Sequence, residues 1–157
     1  MYIQNLQSQG RYLLIIACSQ RKLSDDGLMP AIARYDGGHF RVLRKAQREG
    51  HCFKNIDVLI LSAKYGLIEA YTPIAGYEQR MNQKRANELK AQVIQTLQTY
   101  SKKSIYCEVY VDLGKDYQSA IEELGELFKD SLVTYAQGRI GERLNSLKNC
   151  ILVKWGG

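Results

Sequence analysis

The chain has few of the residues that usually announce a specific chemistry. Its 157 residues include two histidines, two prolines, one tryptophan and four cysteines. Neither His39 nor His51 follows an apolar run that reads as a strand, and no CxxC spacing links Cys18, Cys52, Cys107 and Cys150. A histidine-based triad and a metal centre are therefore not expected. Three of the cysteines lie in or beside apolar segments and read as reduced, buried thiols, which fits a cytoplasmic protein. No apolar run approaches the roughly 20 residues of a membrane helix, and the start of the chain shows no signal-peptide pattern. No GxGxxG follows a strand, so no redox dinucleotide is expected and no cofactor is implied. Helix-turn-helix, zinc-finger and aromatic RNA-binding motifs are absent, which argues against sequence-specific groove reading.

What is present suits one domain over residues 1–157, long enough for a sizeable core. Tyr12–Ala17 and Asp57–Leu61 are continuous apolar runs, as expected of strands covered on both faces, and Ile105–Val111 is rich in β-branched and aromatic residues. Leu132–Tyr135 reads as a fourth strand and Ile151–Val153 as a short terminal fifth. Apolar residues at three- and four-residue intervals predict helices over about 82–100, 116–129 and from Gly138 onward, with a shorter one over Gly38–Arg48. Strands alternating with helices predict an α/β fold: a mostly parallel central sheet of four to five strands, flanked by helices. Pro30 and Pro73 fall in loops that would border the sheet's crevice.

The formal charge of +6 favours a polyanionic partner, since Lys and Arg displace counterions from phosphates. Arg41, Arg44, Lys45 and Arg48 stand at i, i+3, i+4 and i+7, on one helical face, and form a candidate phosphate-backbone track. A plain solvated helix face has the same pattern. Arg80, Lys84 and Arg85 add a second basic cluster.

Three polar segments follow the apolar runs directly: Ser19-Gln20-Arg21-Lys22, Ser62-Ala63-Lys64-Tyr65-Gly66 and Asp112-Leu113-Gly114-Lys115-Asp116-Tyr117. Parallel strands bring their carboxyl ends to one crevice, where ligands bind. Ser19, Lys22, Ser62, Lys64, Tyr65, Tyr77 and Tyr117 are thus candidate binding residues, with Gly66 permitting a tight turn. A carboxylate at a strand end is the best candidate for a general base or for stabilising a developing cation. Asp112 ranks ahead of Asp116, which could equally serve a helix start. Arg139, between Gly138 and Gly141, is a further candidate for an anion.

These segments resemble the YaaA family and its shorter relatives. Ser19 and Lys22 match that family's Ser-x-x-Lys. Leu61 to Ile68, followed by Ile74, Tyr77 and Met81, matches its Leu-Ser-x-x-Tyr-Gly segment and the Tyr-x-x-x-Met beyond. Asp112-Leu113 with Asp116-Tyr117 is similar to its third strand end, one residue shorter and with Asp112 in place of an amide residue. Tyr135-Ala136 and Gly141 are similar to its Tyr-Ala and downstream glycine. The chain is far shorter than YaaA and lacks much of its central helical insertion.

The resemblance implies a fold like that of the uracil-DNA glycosylase superfamily. It also implies an activity found among small relatives in phage defence, the excision of modified bases from DNA. The residues are compatible with that chemistry. N-glycosidic cleavage passes through an oxocarbenium-like sugar, which Asp112 or Asp116 could stabilise while orienting water. A modified base flipped out of double-stranded DNA would stack on tyrosines, while Lys22, Lys64 and Arg139 hold phosphates or the modification. The alternatives are a non-catalytic nucleotide or DNA sensor in stress or defence, and a small-nucleotide hydrolase or transferase.

Overall fold

The three apolar runs form the centre of the sheet because their side chains are apolar on both faces, and only a position covered on both sides hides them all. The computed structural model describes residues 10–156. Strand β1 (Arg11–Ala17) lies between β3 (Ile56–Ser62) and β6 (Tyr106–Asp112), parallel to both. Strand β7 (Leu132–Tyr135) adds in parallel outside β6, and β4 (Gly66–Glu69) adds antiparallel outside β3, giving the order β4-β3-β1-β6-β7. Alternate residues then sort into two layers. Leu14, Ile16, Val58, Ile60 and Tyr110 pack under helix α2 (Gly38–Arg48) and under Leu147 of helix α5 (Ile140–Asn149). Leu13, Ile15, Leu59, Leu61, Val109 and Val111 pack under helix α3 (Gln83–Lys103), which presents Ala86, Leu89, Val93 and Leu97. Asn82 caps α3 by accepting from the Arg85 backbone N–H at 2.7 Å.

Four details depart from the sequence expectations. The fifth strand is β4, made possible by Gly66, whose φ of +78° turns the chain back so that Gly66 lies opposite Ser62. Ile151–Val153 is not a strand: it lies in a π-helical turn, Cys150–Lys154, that continues α5. Three apolar residues fit either period. Here the turn is fixed by Trp155, which stacks on Tyr12 at 4.9 Å and donates its indole N–H to buried Glu108 at 3.0 Å. Thr134 and Lys154 also bond Glu108, at 2.6 and 2.9 Å. Burial opposes its ionisation, but these bonds and the Lys154 charge outweigh it and hold the carboxyl below its ordinary range.

The helix expected over 116–129 divides into a 3-10 helix (Lys115–Ile121) and a short α4 (Leu124–Leu127) containing Gly125, a poor helix former. Pro30 and Pro73 are not in open loops. They pair in a two-residue ladder between β2 (Met29–Pro30) and β5 (Pro73–Ile74), next to the four-residue α1 (Ala31–Arg34).

Candidate functional site

The chain leaves β1 toward α2 and β3 on one face, and leaves β6 toward the 3-10 helix and β7 on the other. Strands β1 and β6 are therefore the switch point of the sheet, and a cleft forms outside their carboxyl ends. Its volume is about 940 Å³, and its walls include Cys18, Ser19, Lys22, Tyr77, Asp116 and Tyr117. Cys18 and Tyr117, one from each strand end, meet at 3.5 Å across the floor. Glu78 and Arg80 add one charge of each sign on the loop after β5.

The tyrosines do something different from what their number suggests. Ser62, fully buried at the end of β3, accepts from the Tyr35 hydroxyl at 3.0 Å and from the backbone N–H groups of Lys64 and Tyr65 at 3.2 and 3.1 Å. With those bonds made, its own hydrogen is left for the Tyr77 hydroxyl at 3.0 Å, and the Tyr35 and Tyr77 hydroxyls close the ring at 2.7 Å. Burial pushes the Tyr35 phenol up to about 12 and raises that of Tyr77 as well, so both remain neutral hydrogen-bond groups. The Tyr77 ring meets Tyr35 and Tyr65 edge-on, and the Lys22 ammonium sits over it, 4.3 Å from the centroid. Lys64 lies 5.3 Å from the Tyr65 centroid and 5.9 Å from that of Tyr77. Tyr77 thus supports an ammonium instead of offering an open face for stacking. Neither lysine pairs with a carboxylate among the described residues. Burial lowers the pKa of Lys22 from its ordinary value.

The wall carrying Ser19 to Ser24 has almost no secondary structure and is held by a buried arginine. Arg34 donates to the carbonyls of Leu23, Asp25 and Gly27 at 2.9, 2.8 and 2.7 Å, and to that of Ile74 at 3.4 Å. Lysine presents one ammonium where the guanidinium presents a planar fork. Arg34→Lys should therefore cost about 2 kcal/mol through carbonyls left unpaired. Thermal unfolding reads that loss, and faster proteolytic nicking between residues 22 and 28 locates it.

Asp112 is not on the cleft wall. It ends β6 on the face beneath α2 and α5 and is wholly buried. His39 holds one carboxylate oxygen at 2.5 Å, and Arg143 holds the other through Nε at 2.6 Å and Nη2 at 2.5 Å. An ionised carboxylate only accepts, so His39 Nε2 carries the hydrogen. Burial works against the charge on Asp112, but the bonds and charges of His39 and Arg143 outweigh it and keep the carboxyl below its usual range. Both oxygens are engaged, and the carboxylate is buried beneath α2 and α5, away from the residues that line the cleft. His39, set aside on sequence grounds, is part of this junction through a contact spanning 73 positions.

Of the basic stripe, Arg44 is half-buried and bonded within the protein, whereas Arg41, Lys45 and Arg48 are exposed. Arg44 donates to Asp36 at 2.6 Å and to the carbonyls of Ile32 and Tyr35 at 2.9 and 2.7 Å, and Arg41 also bonds Asp36. Those partners lie in α1 and in the connection before α2, so these two arginines tie α2 to the segment that precedes it. Lys45 is 3.9 Å from Glu49, and Arg48 is exposed. Arg139 is exposed at the start of α5 and does not line the cleft. Cys18 and Glu78 line it without having been singled out, and Arg80 of the second basic cluster lines it as well. For Cys18, its place directly after β1 was the available signal.

Fold and cleft together define an α/β protein with a polar-lined cleft at the switch point of a mostly parallel sheet. Residues 13–149 match the family of unknown function DUF6884, and the chain belongs to that family. No curated protein matches it. Among solved structures it is similar to AF0587, described as a protein of unknown function. The TM-score is 0.55 at 16% identity, over 90% of this chain and 44% of that one. At that identity the likeness concerns the fold, and the chain spans less than half the length of AF0587. No helix among the described residues is long and apolar enough to cross a membrane.

Proposed function

We propose that the protein binds DNA and removes a modified base by N-glycosidic hydrolysis, with the reaction centred on the cleft between β1 and β6. The observation that carries this reading is Lys22. Its half-buried ammonium stands over Tyr77, spends one donor on the Gln20 carbonyl at 3.2 Å and faces the cleft without a carboxylate partner. Glu78 on the same cleft acts on it by charge without pairing with it, and a cation without a close ion-pair partner is stabilised when an anion such as a phosphate enters. The volume suits a nucleotide-sized group. Asp116 supplies a carboxylate on the same wall as Tyr117, where it stabilises positive charge developing on the sugar and orients water. The similarity of the strand-end segments to the YaaA family supports the same assignment. Defence against phage follows from that similarity.

One observation favours a purely binding role: the carboxylate that ends β6 is locked in an ion pair and takes no part at the cleft. A single experiment separates the two. Genomic DNAs with different base modifications are incubated with the protein, and free bases and abasic sites are measured by mass spectrometry and aldehyde labelling. Base release from one of these DNAs is expected. Saturable binding with no released base from any of them overturns the hydrolytic reading.

A further inference from the structure

Three arginines share one carboxylate beside the cleft. Arg21, Arg41 and Arg44 reach Asp36 at 3.2, 3.2 and 2.6 Å, and none of them pairs with a second carboxylate among the described residues. The cluster therefore carries an excess of positive charge. Arg44 is drawn inward to the carbonyls of Ile32 and Tyr35, whereas the side chains of Arg21 and Arg41 are 71% and 54% exposed. Those two guanidinium groups touch the same Asp36 oxygen, so they lie side by side, each with N–H groups that Asp36 does not use. A second pair of cations flanks Tyr77. The Nζ atoms of Lys22 and Lys64 lie 4.3 and 5.9 Å from its ring centroid, within about 10 Å of each other.

All four cations belong to the carboxyl end of the sheet. Arg21 and Lys22 follow β1, and Lys64 follows β3. Arg41 is near the start of α2, whose His39 bonds Asp112 at the end of β6. Lys22 is the middle of the line, joined to Arg21 by the chain and to Lys64 by the shared ring. We propose that one strand of DNA crosses this end of the sheet from Lys64, over Lys22, to Arg21 and Arg41. That the anion is DNA rests on the proposed function, but the path does not use the hydrolytic step. A strand carries one phosphate about every 3.4 Å of helix axis, so neighbouring phosphates reach both ammonium groups. Such contacts set the register of the strand without reading its sequence. The far end of the α2 stripe lies off this path. Arg48 is the last residue of α2, about 10 Å beyond Arg41 at a rise of about 1.5 Å per residue.

The test measures binding of the full chain to a short fluorescent DNA duplex over a series of salt concentrations. Each phosphate contact contributes about 0.9 to the slope of log affinity against log salt. Arg21→Gln, Arg41→Gln and Lys64→Gln should each flatten the slope by about that amount and weaken binding about threefold or more at low salt. Arg21→Lys and Arg41→Lys keep the charge and should keep the wild-type slope. Lys129→Gln, an exposed position just before β7 at the opposite end of the sheet, should change neither quantity. Three results each overturn the proposal: unchanged slopes in the three Gln variants, a flattening that the two Lys variants share, or an equal flattening in Arg48→Gln, which would lay the strand along α2. Flattened slopes with no base released from any modified DNA remove only the hydrolytic reading. Base release with unchanged slopes removes only the strand path, and no binding of DNA removes both.

Discussion

Replacing Asp112 with alanine should destabilise the protein by about 3–5 kcal/mol, the usual range when one member of a buried ion pair is removed. The loss is large against a typical total stability of about 5–15 kcal/mol. The carboxylate is fully buried and receives the His39 imidazole on one oxygen and the Arg143 guanidinium on the other. Alanine leaves both partners half-sequestered with nothing to accept their hydrogens. It also releases the start of α2 from α5, since His39 and Arg143 belong to those two helices. Urea unfolding measures the loss, and an unchanged midpoint would contradict the account.

The pH dependence has a definite sign. Asp112 titrates lower in the folded protein than its ordinary 3.8, so its stabilisation is complete above that value and disappears as pH falls through the lower, folded one. Wild-type stability should therefore drop below about pH 4. Glu108, lowered for a similar reason, should add to the decline. Asp112→Ala should show a shallower acid limb than the wild type, as well as a lower plateau.

The second large effect concerns activity. Asp116→Asn should reduce base release by about 10²–10⁴-fold, the usual contribution of a positioned acid–base group, while DNA affinity changes less than about threefold. Asparagine keeps the shape and removes the negative charge. Asp116 is preferred over Glu78, the cleft's other carboxylate, because it follows β6 at the switch point, in the first turn of the 3-10 helix. Glu78→Gln is the informative companion. Retained activity in Asp116→Asn together with loss in Glu78→Gln would transfer the role to Glu78. Single-turnover rates and equilibrium binding on the same modified duplex read both quantities.

The central strands were legible because β1, β3 and β6 are buried on both faces, which makes them apolar over most of their length, with Glu108 and Asp112 of β6 as hydrogen-bonded exceptions. Gly38–Arg48 was legible for the complementary reason: Phe40, Leu43 and Ala46 repeat at helical spacing against a polar remainder. The hairpin strand β4 was not, since its pairing depends on the turn at Gly66 and on Gln92 of α3. That side chain accepts from the Leu67 N–H at 2.9 Å and donates to the Leu67 carbonyl at 3.1 Å. Ile151–Val153 misled because its turn is fixed by Trp155, whose partners Tyr12 and Tyr110 come from strands far away in sequence. At the cleft, Ser19, Lys22, Tyr77, Asp116 and Tyr117 were accessible to reasoning because strand ends converge by topology alone. The division of labour between Asp112 and Asp116 was not, because only the three-dimensional arrangement brings His39 and Arg143 onto one carboxylate and not the other.

The place of β1 in the sheet bears on how the chain is made. Of the five strands in this sheet, the first to leave the ribosome is the middle one, and it has a neighbour on one side only after residue 62 and on the other only after residue 112. While α3 is being synthesised, a β1–β3–β4 sheet presents one unpaired parallel edge of Leu, Ile and Ala residues. An open apolar edge of that kind recruits other strands. Nascent chains stalled near Lys103 should accordingly be captured by chaperones or aggregate, whereas those extended past Asp112, with β6 in place, should not.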